Sequence, residues 1–158
     1  MIEPRTFRNT LGRFATGVSI VTVLQEQVVR GLTVNAFMSL SLEPPLIAVC
    51  IDKLARTHEL MKRSRHFGVS VLGVEQEDLS RLFAGTGPPA GDVKFEKLAG
   101  AQVVAGALAQ LACRVRDMVE TGDHTLFVGE VEALNYRDGR PLVFFSGRYS
   151  TLNDLNER

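Results

Sequence analysis

The sequence predicts a mainly β protein whose strands close, or nearly close, into an antiparallel barrel with two or three short flanking helices. Three observations predict it. Roughly seven or eight short runs are rich in β-branched residues, turn signals separate them, and helical spacing is confined to brief segments. A parallel sheet needs a crossover helix after each strand, and the sequence offers too few. The pattern therefore indicates antiparallel pairing.

The first element is a short amphipathic helix, predicted over residues 6–15. Phe7, Leu11 and Phe14 recur there at helical spacing. Thr6 stands at the position expected for an N-cap, because its side chain can accept a hydrogen bond from a free amide of the first turn. The sequence thus predicts one helix ahead of the barrel.

The other elements follow from alternation, capping and turn residues. A loop is predicted at 85–92, where glycines and prolines exclude regular structure. Strands are predicted at 18–24, 28–34, 46–51, 67–72, 111–119, 125–134 and 142–145, with further helices at 57–63 and 75–84.

Composition limits the function classes. The chain has 158 residues, 45% of them hydrophobic, which is enough for one continuous core, so we expect a single domain over 1–158. Lys+Arg and Asp+Glu each total 18, so no net charge favours nucleic acid or an anionic membrane. No apolar run approaches a membrane span, and the first residues lack the layout of a secretory signal. We expect a cytoplasmic protein with no membrane partner.

Several common functional motifs are missing from the sequence. The stretch 85–89 begins Gly-Thr-Gly, but two prolines follow and a helix precedes it, which is the wrong context for a dinucleotide fingerprint. His58, His66 and His124 lack the spacing of a zinc site, so no metal is expected. No G-x-S-x-G motif is present, and hydrolytic chemistry has no support.

The most informative segment is 31–46, GLTVNAFMSLSLEPPL, which interrupts two strands with small and hydroxylated residues. It resembles the flavin-binding segment of the flavin reductase family, whose members commonly show T-x-N-S/A-F-x-S-x-S-x-x-P-P at this place. The resemblance implies the FMN-binding split-barrel fold, an antiparallel split β-barrel of the Greek-key type. It extends over nearly the whole chain through fragments in the same order, at 8–18, 83–85, 94–95, 122–124, 129–131 and 147–149.

An isoalloxazine ring has an apolar edge and a polar edge, so its site needs an apolar wall beside convergent hydrogen-bond donors. The resemblance assigns Thr33, Val34, Asn35 and Ala36 to binding the flavin, with contacts to the ring edge largely through backbone amides. The cofactor it implies is FMN or FAD.

Ser39 and Ser41 are the next candidates for binding the flavin. They alternate, so in an extended chain both hydroxyls point the same way and can reach ribityl or phosphate oxygens together. An alternative remains that they are ordinary turn-forming residues before a proline pair.

A phosphate site is implied just beyond the third strand. Asp52, Lys53 and Thr57 stand where family members carry a polar residue followed by S-x-T, and Lys53 supplies the local positive charge that a neutral protein needs. Ala55 departs from this pattern, since serine is usual there, so Arg56 is a candidate for the missing contact. The alternative is a capped surface helix whose cations face water.

His124 is the one candidate catalytic residue. It lies in a Gly-Asp-His turn, and in similar proteins this histidine lies near the flavin and the nicotinamide, where it can donate to the charge that develops on the ring or position the nicotinamide. Arg148 and Tyr149 resemble the family's terminal element, in which an aromatic ring can stack against a nucleotide. The alternative for His124 is a structural turn residue. The alternative for Arg148 and Tyr149 is a chain end that is anchored by packing of Tyr149.

The function implied is hydride transfer from NADH or NADPH to a flavin, driven mainly by close alignment of the two rings. Similar proteins are homodimers that supply reduced flavin to a separate monooxygenase. A non-catalytic flavin-binding or electron-transfer protein remains the alternative. A pyridoxine phosphate oxidase of related fold is a third, although its basic phosphate site has no clear counterpart here.

Overall fold

The computed structural model describes residues 1–87 and 92–152. In this part of the chain no helix has the length and apolar character needed to cross a bilayer. The helices are α1 (Pro4–Leu11), α2 (His58–Arg63) and α3 (Glu77–Phe83), with a 3-10 turn at Val74–Gln76. The strands are β1 (Thr16–Gly17), β2 (Ser19–Gln25), β3 (Val28–Val34), β4 (Phe37–Leu42), β5 (Pro45–Asp52), β6 (His66–Val71), β7 (Phe95–Leu98), β8 (Ala101–Val104), β9 (Ala109–Thr121), β10 (His124–Tyr136), β11 (Val143–Phe145) and β12 (Arg148–Ser150).

Seven strands form one antiparallel sheet in the order β3-β2-β6-β9-β10-β5-β4. Its two edge strands, β3 and β4, are consecutive in the chain and are joined by Asn35 and Ala36 alone. A two-residue link cannot cross a flat seven-stranded sheet, which is roughly 29 Å wide, so the sheet curls until its edges approach. The predicted mainly β, antiparallel barrel with two or three short helices is confirmed.

The barrel core is filled by alternate positions of its strands. In β5, Ile47, Val49 and Ile51 are buried in a cluster that includes Phe67 and Phe127. Burying each large side chain stabilises the fold by about 1.5–3 kcal/mol. Because successive side chains of a strand point to opposite faces, the even-numbered positions of β5 lie on the outer face of the barrel.

A second apolar cluster fixes α3 and the C-terminal strands against the barrel. Its buried members include Ile20 and Leu72, and Phe83 of α3 and Tyr149 of β12 pack on it. Gly31 allows α3 to approach β3, because a Cβ there would lie 3.0 Å from Cε1 of Phe83. β12 belongs to a separate three-stranded sheet, ordered β1-β11-β12.

The prediction for the first helix is wrong in its bounds and its cap. The helix begins at Pro4, and the cap is Glu3, whose carboxylate accepts from the amides of Arg5 at 2.8 Å and Thr6 at 2.7 Å. Proline suits the first turn because its missing N–H needs no partner there, so the helix starts before Thr6 and ends at Leu11.

Five strands were not predicted from the sequence: β4, β7, β8 and the short strands β1 and β12. β4 lies within the segment interpreted as an interruption, because serines and a following proline pair resemble turn residues. β7 and β8 are four residues each and form a separate hairpin, too short to show clear alternation. Residues 88–91 of the predicted loop at 85–92 lie outside the described residues.

Candidate functional site

The link between β3 and β4 carries two unused backbone donors. The carbonyl of Asn35 accepts from the amide of Phe37 at 2.9 Å, and the carbonyl of Ala36 accepts from the amide of Cys50 at 3.0 Å. Within residues 1–87 and 92–152, neither the Asn35 amide nor the Ala36 amide donates to a protein acceptor. Two adjacent N–H groups are therefore available to a ligand that carries neighbouring acceptors.

Thr33 and Val34 are committed to the fold through other groups. The Thr33 hydroxyl donates to the carbonyl of Ser80 in α3 at 2.6 Å. The Val34 side chain is buried in the barrel core, and its carbonyl accepts from the hydroxyl of Ser19 at 2.8 Å. The side-chain oxygen of Thr33 is thus already bonded, and a ligand contact at these positions falls to the backbone.

The end of β5 brings Asp52, Lys53 and His124 together. Asp52 is paired across the sheet with His124, the first residue of β10. The amide of Lys53 donates to the carbonyl of Asp123 at 2.9 Å. The bond between Ala36 and Cys50 holds the link of residues 35 and 36 two positions from Asp52 along β5. These parts of the predicted site are neighbours.

The His124 ring is held by the carboxylate that precedes it. Nδ1 of His124 lies 2.7 Å from Oδ1 of Asp123, and 40% of the histidine side chain is exposed. This hydrogen bond with His124 lowers the pKa of the Asp123 carboxyl, so Asp123 is ionised at neutral pH. A carboxylate only accepts, so the proton of this bond is on Nδ1. Nε2 then accepts from a ligand in the neutral ring and donates to a ligand only in the imidazolium form.

The phosphate assignment uses the positive charge of Lys53, but this ammonium is already paired with a carboxylate. Its Nζ lies 2.5 Å from Oε2 of Glu120, near the end of β9. The hydrogen bond from Lys53 lowers the pKa of the Glu120 carboxyl, which keeps this partner ionised at neutral pH. Arg56, the other candidate cation, is exposed and forms no ion pair within the described residues.

Thr57 stands at the start of the helix predicted at 57–63, but its side chain does not cap this helix. It occupies the N-cap position of α2 in a helical conformation, and its side chain makes no capping bond. The residue is buried, and its hydroxyl has no hydrogen-bond partner among the residues that the structure describes. A ligand at the surface does not reach this hydroxyl in the present arrangement.

Ser39 and Ser41 do not share a face. A bulge between them pairs Ser39 with Ile47 and Ser41 with Leu46. Ile47 and Leu46 point to opposite faces of β5, and cross-strand partners share a face, so the two serines point opposite ways. The argument from alternation is wrong because the extra residue of the bulge breaks it.

The serines are also remote from Lys53. Ile47, opposite Ser39, lies five residues before Asp52, which is roughly 17 Å along a strand. Ser39 and Lys53 therefore cannot bind the same phosphate. Neither Ser39 nor Ser41 forms a side-chain hydrogen bond in the described chain, so both hydroxyls remain available to a different part of a ligand.

Tyr149 is anchored beside Thr33 through α3. Its hydroxyl lies 2.7 Å from the hydroxyl of Ser80, the residue whose carbonyl binds Thr33. The Arg81 guanidinium lies 4.7 Å above the centre of the Tyr149 ring, so one ring face is already covered. Arg148 is exposed and its side chain forms no hydrogen bond within the described residues.

The neighbouring candidates Asn35, Ala36, Asp52 and His124 form a rim where β5 ends and β10 begins. A cavity of about 420 Å³ lies elsewhere, lined by the end of β2, the end of α2 and the turn between β7 and β8, and it contains none of the predicted site residues. Across residues 1–87 and 92–152, no cluster of three or more His, Cys, Asp or Glu side chains is arranged to hold a metal ion.

The sequence matches one family model, described as the flavin reductase like domain, over residues 11–153. This chain belongs to the flavin reductase-like family. The match covers every candidate residue, from Thr33 to Tyr149. The antiparallel split barrel is the fold that the resemblance to this family implied.

Individual relatives are similar over nearly their full length. A curated NADH-dependent flavin reductase of a Rhodococcus species is 43% identical over 98% of this chain and 89% of its own length. The reductase component of a 4-nitrophenol 4-monooxygenase/4-nitrocatechol 2-monooxygenase of Rhodococcus opacus is 38% identical over 94% and 80%. The solved structure of flavin reductase PheA2 is 44% identical, with a TM-score of 0.94 over 97% of this chain and all of that one.

Sequence reasoning missed two residues of the candidate site. Ser80 is fully buried and bonds both Thr33 and Tyr149, and Glu120 binds Lys53. Ser80 lies in α3, and the sequence pattern of this helix identifies only its apolar positions. Glu120 lies 67 positions from Lys53 in a strand of alternating charges, and no local signal in the sequence links the two.

Proposed function

We propose that this protein is an NAD(P)H:flavin oxidoreductase that transfers a hydride from NADH or NADPH to FMN or FAD. The observation that supports it best is the pair of free amides at Asn35 and Ala36, next to the partly exposed ring of His124. Two adjacent donors fit the neighbouring acceptors on the polar edge of an isoalloxazine. The names of the relatives agree with this chemistry.

The outer face of β4, β5 and β10 supplies the apolar wall. Met38, Cys50 and Leu126 lie on this face, and Asp52 and His124 continue it to the rim. A flavin held on this face would supply the acceptor for the hydride of the nicotinamide. The chain orients the ring through the two amides, and His124 presents Nε2 toward the ring or the nicotinamide.

The wider assignment follows from the same proposal. Thr33, Val34, Ser39, Ser41, Asp52, Lys53, Thr57, Arg148 and Tyr149 remain predicted flavin contacts, with Thr57 requiring a local rearrangement. Reduced flavin is passed to a monooxygenase component, as the name of the Rhodococcus opacus relative suggests for that protein. The protein acts in the cytoplasm as one domain. The assay described next compares NADH with NADPH and FMN with FAD.

The decisive experiment is nicotinamide oxidation by the purified protein, with riboflavin, FMN and FAD supplied separately and NADH compared with NADPH. Flavin-dependent loss of the nicotinamide absorbance is expected. Flavin binding without nicotinamide oxidation would favour a flavin carrier, and turnover of pyridoxine phosphate would favour the related oxidase.

The proposal includes a homodimer. The apolar face of α1, formed by Phe7 and Leu11, is exposed together with Phe14 just beyond the helix, and no residue of α1 is buried. Helix α1 is attached through the carbonyl of Gly12, which accepts from Ser146 at 2.9 Å, just before Arg148 and Tyr149. A second chain on this face would bury the apolar side chains and wall the open rim.

We expect light scattering after size exclusion to give twice the mass of the chain, because the apolar face of α1 favours association. The variant Phe7→Glu with Leu11→Glu should elute as a monomer and bind flavin less tightly. Arg5→Glu on the same helix is the matched control and should stay dimeric. A wild-type monomer would rule out this part of the proposal.

A further inference from the structure

The side chain of Glu120 is 60% exposed, and each of its carboxylate oxygens contacts a neighbour at the candidate phosphate site. Thr125 lies between Glu120 and Ile51 in the sheet, so Glu120 reaches across β10 toward the end of β5. Its Oε2 lies 2.5 Å from Nζ of Lys53, and its Oε1 accepts a long hydrogen bond, 3.4 Å, from the hydroxyl of Thr125.

Thr125 is in turn held by a buried histidine. Both residues are buried, and Nε2 of His58 lies 2.8 Å from the Thr125 hydroxyl. The hydroxyl has one proton, which it gives to Glu120, so it accepts the proton of Nε2. This chain of contacts places the Glu120 carboxylate before any ligand arrives, and the carboxylate in turn places the ammonium of Lys53.

The local charge is unfavourable for an incoming phosphate. Three carboxylates lie near Lys53: Glu120 in direct contact, Asp123 through the backbone, and the adjacent Asp52. Lys62 is a second cation that, after Lys53, lowers the pKa of Glu120, but its ammonium lies 3.8 Å from the carboxylate of Glu59. Lys53 lowers the pKa of both Glu120 and Asp123, although it is the smallest of the causes at Asp123. With Lys53 neutralised by Glu120, a phosphate must either displace this carboxylate or share the ammonium with it.

We infer that Glu120 is a specificity-determining residue, which competes with the phosphate of the flavin for Lys53 and keeps phosphorylated flavins exchangeable. This inference rests on the proposed function, because it requires the flavin phosphate to lie at Lys53. A phosphate monoester carries about −1.5 to −2 charges near neutral pH, so FMN meets the full competition. FAD divides its charge over two phosphates and meets less of it, and riboflavin, which has no phosphate, meets none.

The test is equilibrium binding of riboflavin, FMN and FAD, followed by flavin fluorescence, to the wild type and Glu120→Gln. We expect Glu120→Gln to bind FMN about three- to fivefold more tightly, FAD less so, and riboflavin unchanged. The gain should shrink in 0.5 M salt, because the groups are partly exposed. Asp117→Asn removes a carboxylate from the same strand, away from Lys53, and should leave all three affinities unchanged.

A second background shows whether the effect passes through Lys53. In Lys53→Met no ammonium is left to compete for, so the further change Glu120→Gln should tighten FMN binding less than it does in the wild type, by the direct repulsion alone. Unchanged or weaker FMN binding by Glu120→Gln, or an equal gain for riboflavin, would overturn the inference. If the wild type binds flavin but oxidises no nicotinamide, the proposed function fails while the binding selectivity still decides the role of Glu120. If the wild type binds no flavin, both fail.

Discussion

Replacing Ala36 with proline is expected to weaken flavin binding about 10- to 100-fold, because proline removes one of the two free amide donors in the link between β3 and β4. An acceptor on the flavin that loses its donor in a partly desolvated site costs about 1–3 kcal/mol. The carbonyl of residue 36, which accepts from the amide of Cys50, is retained. Fluorescence titration with FMN and FAD measures the change.

Ala36→Gly is the matched control, because it removes a methyl group and keeps the amide. It should bind flavin nearly as well as the wild type. Circular dichroism shows whether Ala36→Pro keeps the barrel. Hydrogen exchange on the wild type gives an answer that needs no variant: the amides of Asn35 and Ala36 should exchange quickly in the free protein and slowly with flavin. Equal exchange in both states would contradict the assignment.

Replacing His124 with alanine is expected to slow hydride transfer about 10- to 100-fold while the flavin affinity changes little. The reason is that Nε2 of His124 is the side-chain group presented at the rim, and its Nδ1 is held by Asp123. Loss of one donor aimed at developing charge, here Nε2 of the imidazolium form, costs about two to three orders of magnitude in a water-excluded site, and less where the side chain is 40% exposed as His124 is. Anaerobic stopped-flow mixing of the flavin complex with NADH measures the rate as loss of flavin absorbance.

His66→Ala is the control histidine, since His66 pairs with Glu132 and lines the cavity away from the candidate site. It should leave the rate unchanged. A lower rate constant at saturating NADH would support donation to the flavin, whereas a raised KM for NADH alone would support positioning of the nicotinamide. A His124→Ala enzyme with both parameters unchanged would remove this residue from the mechanism.

The barrel was predictable because its signals are local. Alternation in 111–119 indicates which positions face the core, and the β-branched runs at 18–24 and 28–34 indicate two strands of a hairpin. β4 was missed because Ser39, Ser41 and the proline pair that follows resembled turn residues, although four of its six residues are apolar.

The site was predictable in part. The resemblance to the flavin-binding segment predicted contacts through backbone amides, and the free amides at Asn35 and Ala36 agree with that prediction. No sequence pattern shows which amides lack partners. The bulge after Ser39 was not predictable, because a one-residue register shift depends on how β4 meets β5. The ion pair between Lys53 and Glu120 joins strands far apart in the chain, and sequence alone does not show which carboxylate reaches the lysine.

The central claim is that the link between β3 and β4 binds the polar edge of a flavin through its two free amides. A crystal structure of the protein soaked with FMN or FAD tests it most directly. The account predicts flavin acceptor atoms at about 2.7–3.2 Å from the nitrogens of Asn35 and Ala36, with the ring against the outer face of β5 and within reach of His124. A flavin bound elsewhere, with the two amides still facing solvent, would contradict it.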